Sequence, residues 1–366
     1  MGSRFGIACI LLTASAGGCQ RAEAPRYVSS KAVLELPDEL QEKIVGELTK
    51  YCGTPANPKL LGDDTVSPQR LQQGAHIFRQ RCEACHGVAG DGAGPAAEYM
   101  NPSPRDFRPG VFKFTSTAYG QEPLRDDLVR FVRNGGKGTA MPSFKLLPDD
   151  DLQAVIDYVL VLTHRGELER LLAAVADDEG EINPDATPEL IENIMSQWAE
   201  ARDGVVTPIS KPIPYSLESA AKGREAFFTE TAGCVKCHGD DGRGRDIPNY
   251  IIPGTDEPVT VRSADLTAGM FHGGDRSEDI YRRIYAGING TPMPGFGQSF
   301  ASQPETLWQL VHYVQYISSA RRRDVMEHMP TLKRNRVDAS EDAVKKPQAN
   351  SNSFKKSSET KGQNSL

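Results

Sequence analysis

Cys82-Glu83-Ala84-Cys85-His86 and Cys234-Val235-Lys236-Cys237-His238 are the two pentapeptides on which the reading of this 366-residue chain turns. Two thiols three residues apart can each form a thioether with a vinyl group of one haem, and the adjacent His then lies beneath the iron as its fifth ligand. One such pentapeptide can arise by accident. Two of them, followed at the same distance by Met141-Pro142 and Met293-Pro294, do not. The expectation is two covalently attached haem c groups, held by Cys82, Cys85, Cys234 and Cys237, with His86 and His238 as proximal iron ligands.

An internal repeat carries the same message outward from the motifs. Gly74 and Phe78 stand four apart just before the first motif, and Gly223 and Phe227 before the second. Gly90 and Gly92 match Gly242 and Gly244 after the His. Asp127 to Phe144 aligns without a gap on Asp279 to Phe296, sharing Asp, Arg, Gly, Gly, Thr, Met, Pro and Phe. The loops between differ in length, so the local Gly-Thr-x-Met-Pro-x-Phe context says more than the equal spacing. Flexible Gly and rigid Pro around a Met suit a loop that holds a thioether sulfur at a fixed point. Met141 and Met293 are therefore the expected sixth ligands; Met as a core gap-filler is the blander fate. Met100 and Met270 lack the paired context and read as packing.

A soft thioether opposite a neutral imidazole favours the ferrous state and leaves no open position for a substrate. Each half resembles a class I cytochrome c domain, and the pair resembles bacterial dihaem cytochromes of respiratory chains. The resemblance covers residues 67–163 and 216–318. It implies that the first and last helices of each domain cross, with Gly74 and Phe78 against Tyr158, and Gly223 and Phe227 against Tyr313. It also implies a Pro carbonyl that accepts the proximal His N–H, at Pro95 and Pro248. Arg105 and Arg262 resemble propionate-side residues, a surface salt bridge being the equal alternative. His272, His312, His164 and His76 have no ligand spacing and read as rim or surface, with His272 a candidate to replace a displaced Met293.

The fold class expected is all-α: two class I cytochrome c domains in tandem, a helical interdomain segment and a disordered C-terminal tail. The division runs 1–18 signal peptide, 19–66 extension with one helix, 67–164 domain 1, 165–215 interdomain segment, 216–320 domain 2 and 321–366 tail. Ser67 caps the first domain's opening helix with Pro68 at its first position. Leu152, Val155, Ile156, Val159 and Leu160 face the core on its closing helix, repeated by Leu307, Leu310, Val311, Val314 and Ile317. In the extension, Leu40, Ile44, Val45, Leu48 and Cys52 form one stripe, which buries the Cys52 thiol; an intermolecular disulfide is the alternative. Between the domains, acidic residues outnumber basic ones eleven to four. The face of Ile191, Ile194, Met195 and Trp198 there must be buried, so this is a packed element and not a free linker. The tail from about 332 is polar and expected to be disordered.

A formal net charge of −7 and 38% hydrophobic residues describe a soluble, acidic chain and exclude a nucleic-acid binder by charge. The leader has Arg4, an apolar run Phe5 to Leu12 and a small-residue zone, as an export signal does. Ala16-Gly17-Gly18-Cys19 resembles a lipobox with Ala where Leu is usual, so a lipid anchor at Cys19 is expected; cleavage after Ala14-Ser15-Ala16 is the alternative. Export agrees with thioether attachment, so the chain is read as periplasmic and membrane-anchored as a lipoprotein. The leading function is electron transfer between redox proteins, with a quinol-oxidising complex or periplasmic dehydrogenase as donor and a terminal oxidase as acceptor. The alternatives are a dihaem cytochrome c peroxidase and a fixed electron-input subunit of a larger complex. The peroxidase needs one accessible distal face with acid–base groups above it, which two equivalent Met loops oppose.

Overall fold

The computed structural model describes residues 26–252 and 258–319, so the leader with Cys9 and Cys19, and the basic tail, lie outside the described residues. Two short helices, α1 (Lys31–Leu34) and α2 (Asp38–Cys52), lead into a two-rung ribbon of β1 (Gly53–Thr54) and β2 (Asn57–Pro58). Domain 1 follows with α3 (Pro68–Arg81), α4 (Glu83–His86), α5 (Arg125–Asn134) and the first half of α6 (Asp149–Glu179). After α7 (Thr187–Glu200), domain 2 repeats the plan with α8 (Leu217–Phe228), α9 (Cys234–His238), α10 (Ser277–Ala286) and α11 (Glu305–Ser318). The described chain is mainly helical, as expected. The addition is an antiparallel ribbon of β3 (Asp246–Ile251) and β4 (Pro258–Arg262), bulged between Ile247 and Tyr250 where Asn249 takes φ +57°.

The helix crossings form as the repeat predicts, for a steric reason. A Cβ on Gly74 would stand 2.0 Å from the Ala154 carbonyl oxygen, and one on Gly223 would stand 1.9 Å from that of Gln309. Only glycine lets those backbones meet. Phe78 then tilts against Tyr158 at 5.3 Å and Phe227 against Tyr313 at 5.2 Å. Ser67 caps α3 by accepting from the Arg70 N–H, and Ser216 caps α8 from Ser219. In domain 1 a buried carboxylate, Asp157, takes Arg70 of α3 and Arg125 of α5 at 2.5 Å each, so one side chain of α6 ties three helices. Such a buried group stabilises only while both partners remain.

The closing helix of domain 1 does not end with the domain. It continues unbroken from Asp149 to the left-handed Gly180, across residues 164 and 165. Its first half carries the domain 1 core; Leu168, Leu172, Ala173 and Ala176 in its second half pack against α2 and α7. Inside that second core, Arg165 pairs with Glu169 at 2.6 Å, and Glu169 also accepts from the Ser30 N–H. The N-terminal extension and the interdomain segment thus form one helical layer on domain 1. Ile194 is buried there with Ile191, Met195 and Trp198 packed around it, which is why the segment is no free linker. Cys52 is fully buried in this layer and burial pushes its thiol up to about 12. Val45, expected on the same stripe, is exposed.

Candidate haem sites

Each C-x-x-C-H motif occupies a single helical turn, the first directly after α3 and the second separated from α8 by five residues. The N–H groups of Cys85 and His86 donate to the Cys82 carbonyl at 3.1 and 2.9 Å, which places both thiols and the imidazole on one turn. The chain then reverses through Gly87 and returns, so that the Gly92 N–H donates to the His86 carbonyl at 2.9 Å. Gly244 does the same for His238 at 2.9 Å. Cys82 packs on the first core and Cys234 on the second. All four motif thiols are half-buried and unpaired, and burial raises Cys82 to about 12 and Cys234 to about 11.

The imidazoles are held by main-chain carbonyls. His86 Nδ1 lies 3.1 Å from the Arg105 carbonyl oxygen, and His238 Nδ1 lies 3.1 Å from that of Ala264. A carbonyl only accepts, so Nδ1 carries the proton and Nε2 is the ring nitrogen left for a metal. Burial lowers both imidazole pKa values, which keeps each ring neutral as a ligand must be. The expectation that Pro95 and Pro248 supply these carbonyls is therefore corrected. Both prolines lie nearer the motif, whereas the chain has to run to residues 105 and 264 before it passes the ring.

This register also corrects the pairing of Arg105 with Arg262. Phe107 donates to the Gly90 carbonyl and Leu266 to that of Gly242, so Pro104-Arg105-Asp106-Phe107 corresponds to Ser263-Ala264-Asp265-Leu266. Ala264 takes the place of Arg105. Arg262 instead ends β4 and pairs with Asp246 of β3 at 2.9 Å on an exposed ribbon, the surface alternative of the two. The sites differ accordingly. His86 stacks on Phe107 at 4.6 Å, while His238 has Leu266 at that position and only a tilted Phe227 at 6.4 Å. Arg105, whose carbonyl holds His86, is held below its usual range by burial, with its guanidinium towards Gly290 of domain 2, and Lys113 is lowered to about 8 by burial and by Arg105.

Met141 and Met293 end loops of one design. Gly135 and Gly287 terminate α5 and α10 with φ +71° and +84°, and a Cβ on either would strike the carbonyl of the loop's own Met at 2.8 and 2.7 Å. The loop closes when the N–H of Gly136 reaches the Met141 carbonyl at 3.2 Å and that of Ile288 the Met293 carbonyl at 3.1 Å. Thr139 and Thr291 brace it from inside. Each hydroxyl donates to the carbonyl three residues back, at 2.8 and 2.7 Å, and accepts the Met N–H at 3.1 and 3.3 Å. Met293 packs on the second core; Met141 is half-buried.

The remaining histidines divide differently from the reading as rim residues. His164 is buried in α6 edge-on to Trp198, and burial lowers it to about 4. His312 is buried against Ser219 at 2.7 Å, whereas His76 is exposed beside Gln80. His272 lies against the wrong loop to replace Met293: its Nδ1 donates to the Lys137 carbonyl of domain 1. Met270 packs over Gly138 in the same contact. Among the described residues no group of three or more His, Cys, Asp or Glu side chains is arranged to hold a bare metal ion.

Residues 69–159 match the family described as cytochrome c oxidase, cbb3-type, subunit III, and residues 220–318 match the cytochrome c family. No curated protein matches the chain. A solved structure described as the Kuenenia stuttgartiensis reducing HAO-like protein complex Kustc0457/Kustc0458 contains a chain that is 25% identical, with a TM-score of 0.50. That likeness covers 67% of this chain and 96% of the other. Two cytochrome c-type domains thus stand in tandem, implying two covalently bound haem c groups, one to each domain.

Proposed function

We propose that this dihaem c-type cytochrome relays electrons between redox proteins, with both irons closed by His and Met. Its two cytochrome c-type domains make it an electron-transfer haem protein. Cys82 and Cys85 would attach one haem and Cys234 and Cys237 the other, with His86 and Met141, and His238 and Met293, as axial ligands. Haem c supplies one-electron redox chemistry when bound. The protein's part is to hold the imidazoles through the Arg105 and Ala264 carbonyls and to hold the sulfurs through the Thr-braced loops. The observation that carries this reading is that both loops close by the same hydrogen bonds, Met carbonyl to N–H and Thr hydroxyl to Met N–H. Two loops of one design favour two closed sites over one closed and one reactive.

The donor in this reading is a quinol-oxidising complex or periplasmic dehydrogenase and the acceptor a terminal oxidase. Cytochrome c domains are typically extracytoplasmic. No helix of the described residues is long and apolar enough to cross a membrane. A lipid at Cys19 would then hold the chain near membrane partners.

A second reading, a fixed subunit of a larger complex, is favoured by the similar chain that belongs to a protein complex. Carbon monoxide binding to the reduced holoprotein tests the main proposal. The expected result is no shift at either haem, with the Met–iron charge-transfer band of the oxidised protein at two-site strength. Ready uptake at one haem would overturn it and make peroxide turnover the next assay. Co-purification in mild detergent separates a fixed subunit from a free carrier.

A further inference from the structure

The two Met loops each meet the other domain. The repeat that carries Asp127 onto Asp279 carries Lys137 onto Asn289. In one half of the contact, Asn289 accepts the Gly120 N–H at 2.8 Å and donates to the Gln121 carbonyl at 3.0 Å. Tyr119 adds a hydroxyl bond to the Thr291 carbonyl at 3.3 Å. In the other half, Lys137 pairs with Asp275 at 2.6 Å, and its carbonyl accepts from His272. Lys137 and Asn289, equivalent in the repeat, thus each reach into the other domain.

The two halves differ in strength. Lys137 and Asp275 are each more than half exposed, and such a pair contributes little. Asn289 is only 7% exposed, and both ends of its amide are satisfied by domain 1 backbone. A buried amide that loses its partners is costly, so this contact fixes the loop where the ion pair cannot. Gly290, beside it at φ +66°, lets the loop approach further: a Cβ there would stand 2.9 Å from Val111 of domain 1. Asn289 is four residues before Met293, inside the loop that Gly287 opens and Thr291 braces.

We infer that Asn289 is a positioning residue for Met293: domain 1, through the Gly120 and Gln121 backbone, sets the loop that presents this sulfur. The inference rests on Met293 being the sixth ligand of the second haem. Domain 2's redox centre is then completed by domain 1, while domain 1's Met141 loop has the exposed ion pair, the His272 contact and the exposed Met270 over Gly138.

Imidazole, which displaces a Met sulfur from ferric haem, reads the effect in the full-length holoprotein. In Asn289→Ala, imidazole affinity at one haem should rise about ten-fold, the equivalent of one pKa unit that loss of a buried amide's bonds is worth. The midpoint potential of that haem should fall while the other haem keeps both values. Lys137→Ala should leave both haems close to wild type. If Asn289→Ala only lowers the melting temperature, with imidazole affinity and both potentials unchanged, Asn289 is structural and the inference fails. Met293→Ala, run alongside, separates the premise: an unchanged charge-transfer band in that variant sinks the ligand assignment and with it this role. Where Asn289→Ala gives no folded holoprotein, Tyr119→Phe removes one bond to the same loop, and its imidazole affinity should move in the same direction by a smaller factor. No change there overturns the inference.

Discussion

At the scale of single residues, the proposed His and Met ligands are checked directly by their removal. Met141→Ala or Met293→Ala should each halve the Met–iron charge-transfer absorbance and open one haem to carbon monoxide, leaving the other closed. A variant that keeps full absorbance would remove that Met from the ligand set. A different residue pair, Glu122 and Glu167, governs a pH effect. Their carboxyl oxygens converge over Gly110, whose absent Cβ would stand 2.4 Å from one and 3.2 Å from the other. Burial, then the Glu167 charge, pushes Glu122 up to about 8; burial pushes Glu167 up to about 7 against the Trp198 indole N–H and Arg170. The folded chain therefore holds protons that the unfolded chain has released above the ordinary carboxyl range. Stability present below that range is lost as pH rises through 7 to 8. Glu122→Gln should melt like wild type at pH 5 and several degrees higher at pH 8.5, a gain of roughly 1–3 kcal/mol. Parallel melting curves at both pH values would show that the pair carries no excess proton.

At the scale of elements, α6 joins core, strap and site. Gly166 in its second half faces the chain that runs from Arg105 to Lys113: a Cβ would stand 2.3 Å from the Arg108 Cα. Helix propensity alone makes Gly→Ala favourable by about 1 kcal/mol. The contact predicts the reverse, a loss of roughly 2–4 kcal/mol, because backbone has to move aside. That backbone includes the carbonyl that holds His86, so Gly166→Ala should also disturb the spectrum of one haem and not the other. A stabilised variant with two unperturbed haems would show that the strap yields freely. The first cap and the crossings of these elements are legible in the sequence, since Ser67-Pro68, Gly74 and Gly223 act through local geometry. The continuation of α6 past residue 164 is not. Leu168, Leu172 and Ala176 are covered by α2 and α7, and that contact is set only by the folded layer.

At the scale of the whole molecule, the two sites are unequal although the repeat makes them look alike. Arg105, whose carbonyl holds His86, and Lys113 are half-buried cations of domain 1, and Ala264 stands where domain 2 would have the arginine. A fixed positive charge disfavours the ferric state of the haem nearest to it, so the two haems should differ in potential. Arg105→Ala should lower one of the two midpoint potentials by tens of millivolts, about the size of one partly screened charge. Equal potentials in the wild type, or none shifted by Arg105→Ala, would contradict this. The Arg105 guanidinium also reaches towards the Met293 loop, 3.5 Å from the position of a Gly290 Cβ, so the variant tests the domain contact as well.

What the amino-acid order determined by itself is the cofactor count, the two C-x-x-C-H turns, the paired Met-Pro loops and the helix crossings. These depend on side-chain identity at short spacing, and Cys, His, Met and Gly each have distinctive chemistry or shape. The tertiary structure decided which carbonyls hold the imidazoles, which arginine belongs to the first site, and how the two loops brace each other. A main-chain carbonyl is the same group at every residue, so nothing in the letters distinguishes Arg105 or Ala264 from Pro95 or Pro248. The amide of Asn289 finds its partners in the other domain, and no local pattern encodes a contact made only after both domains have folded.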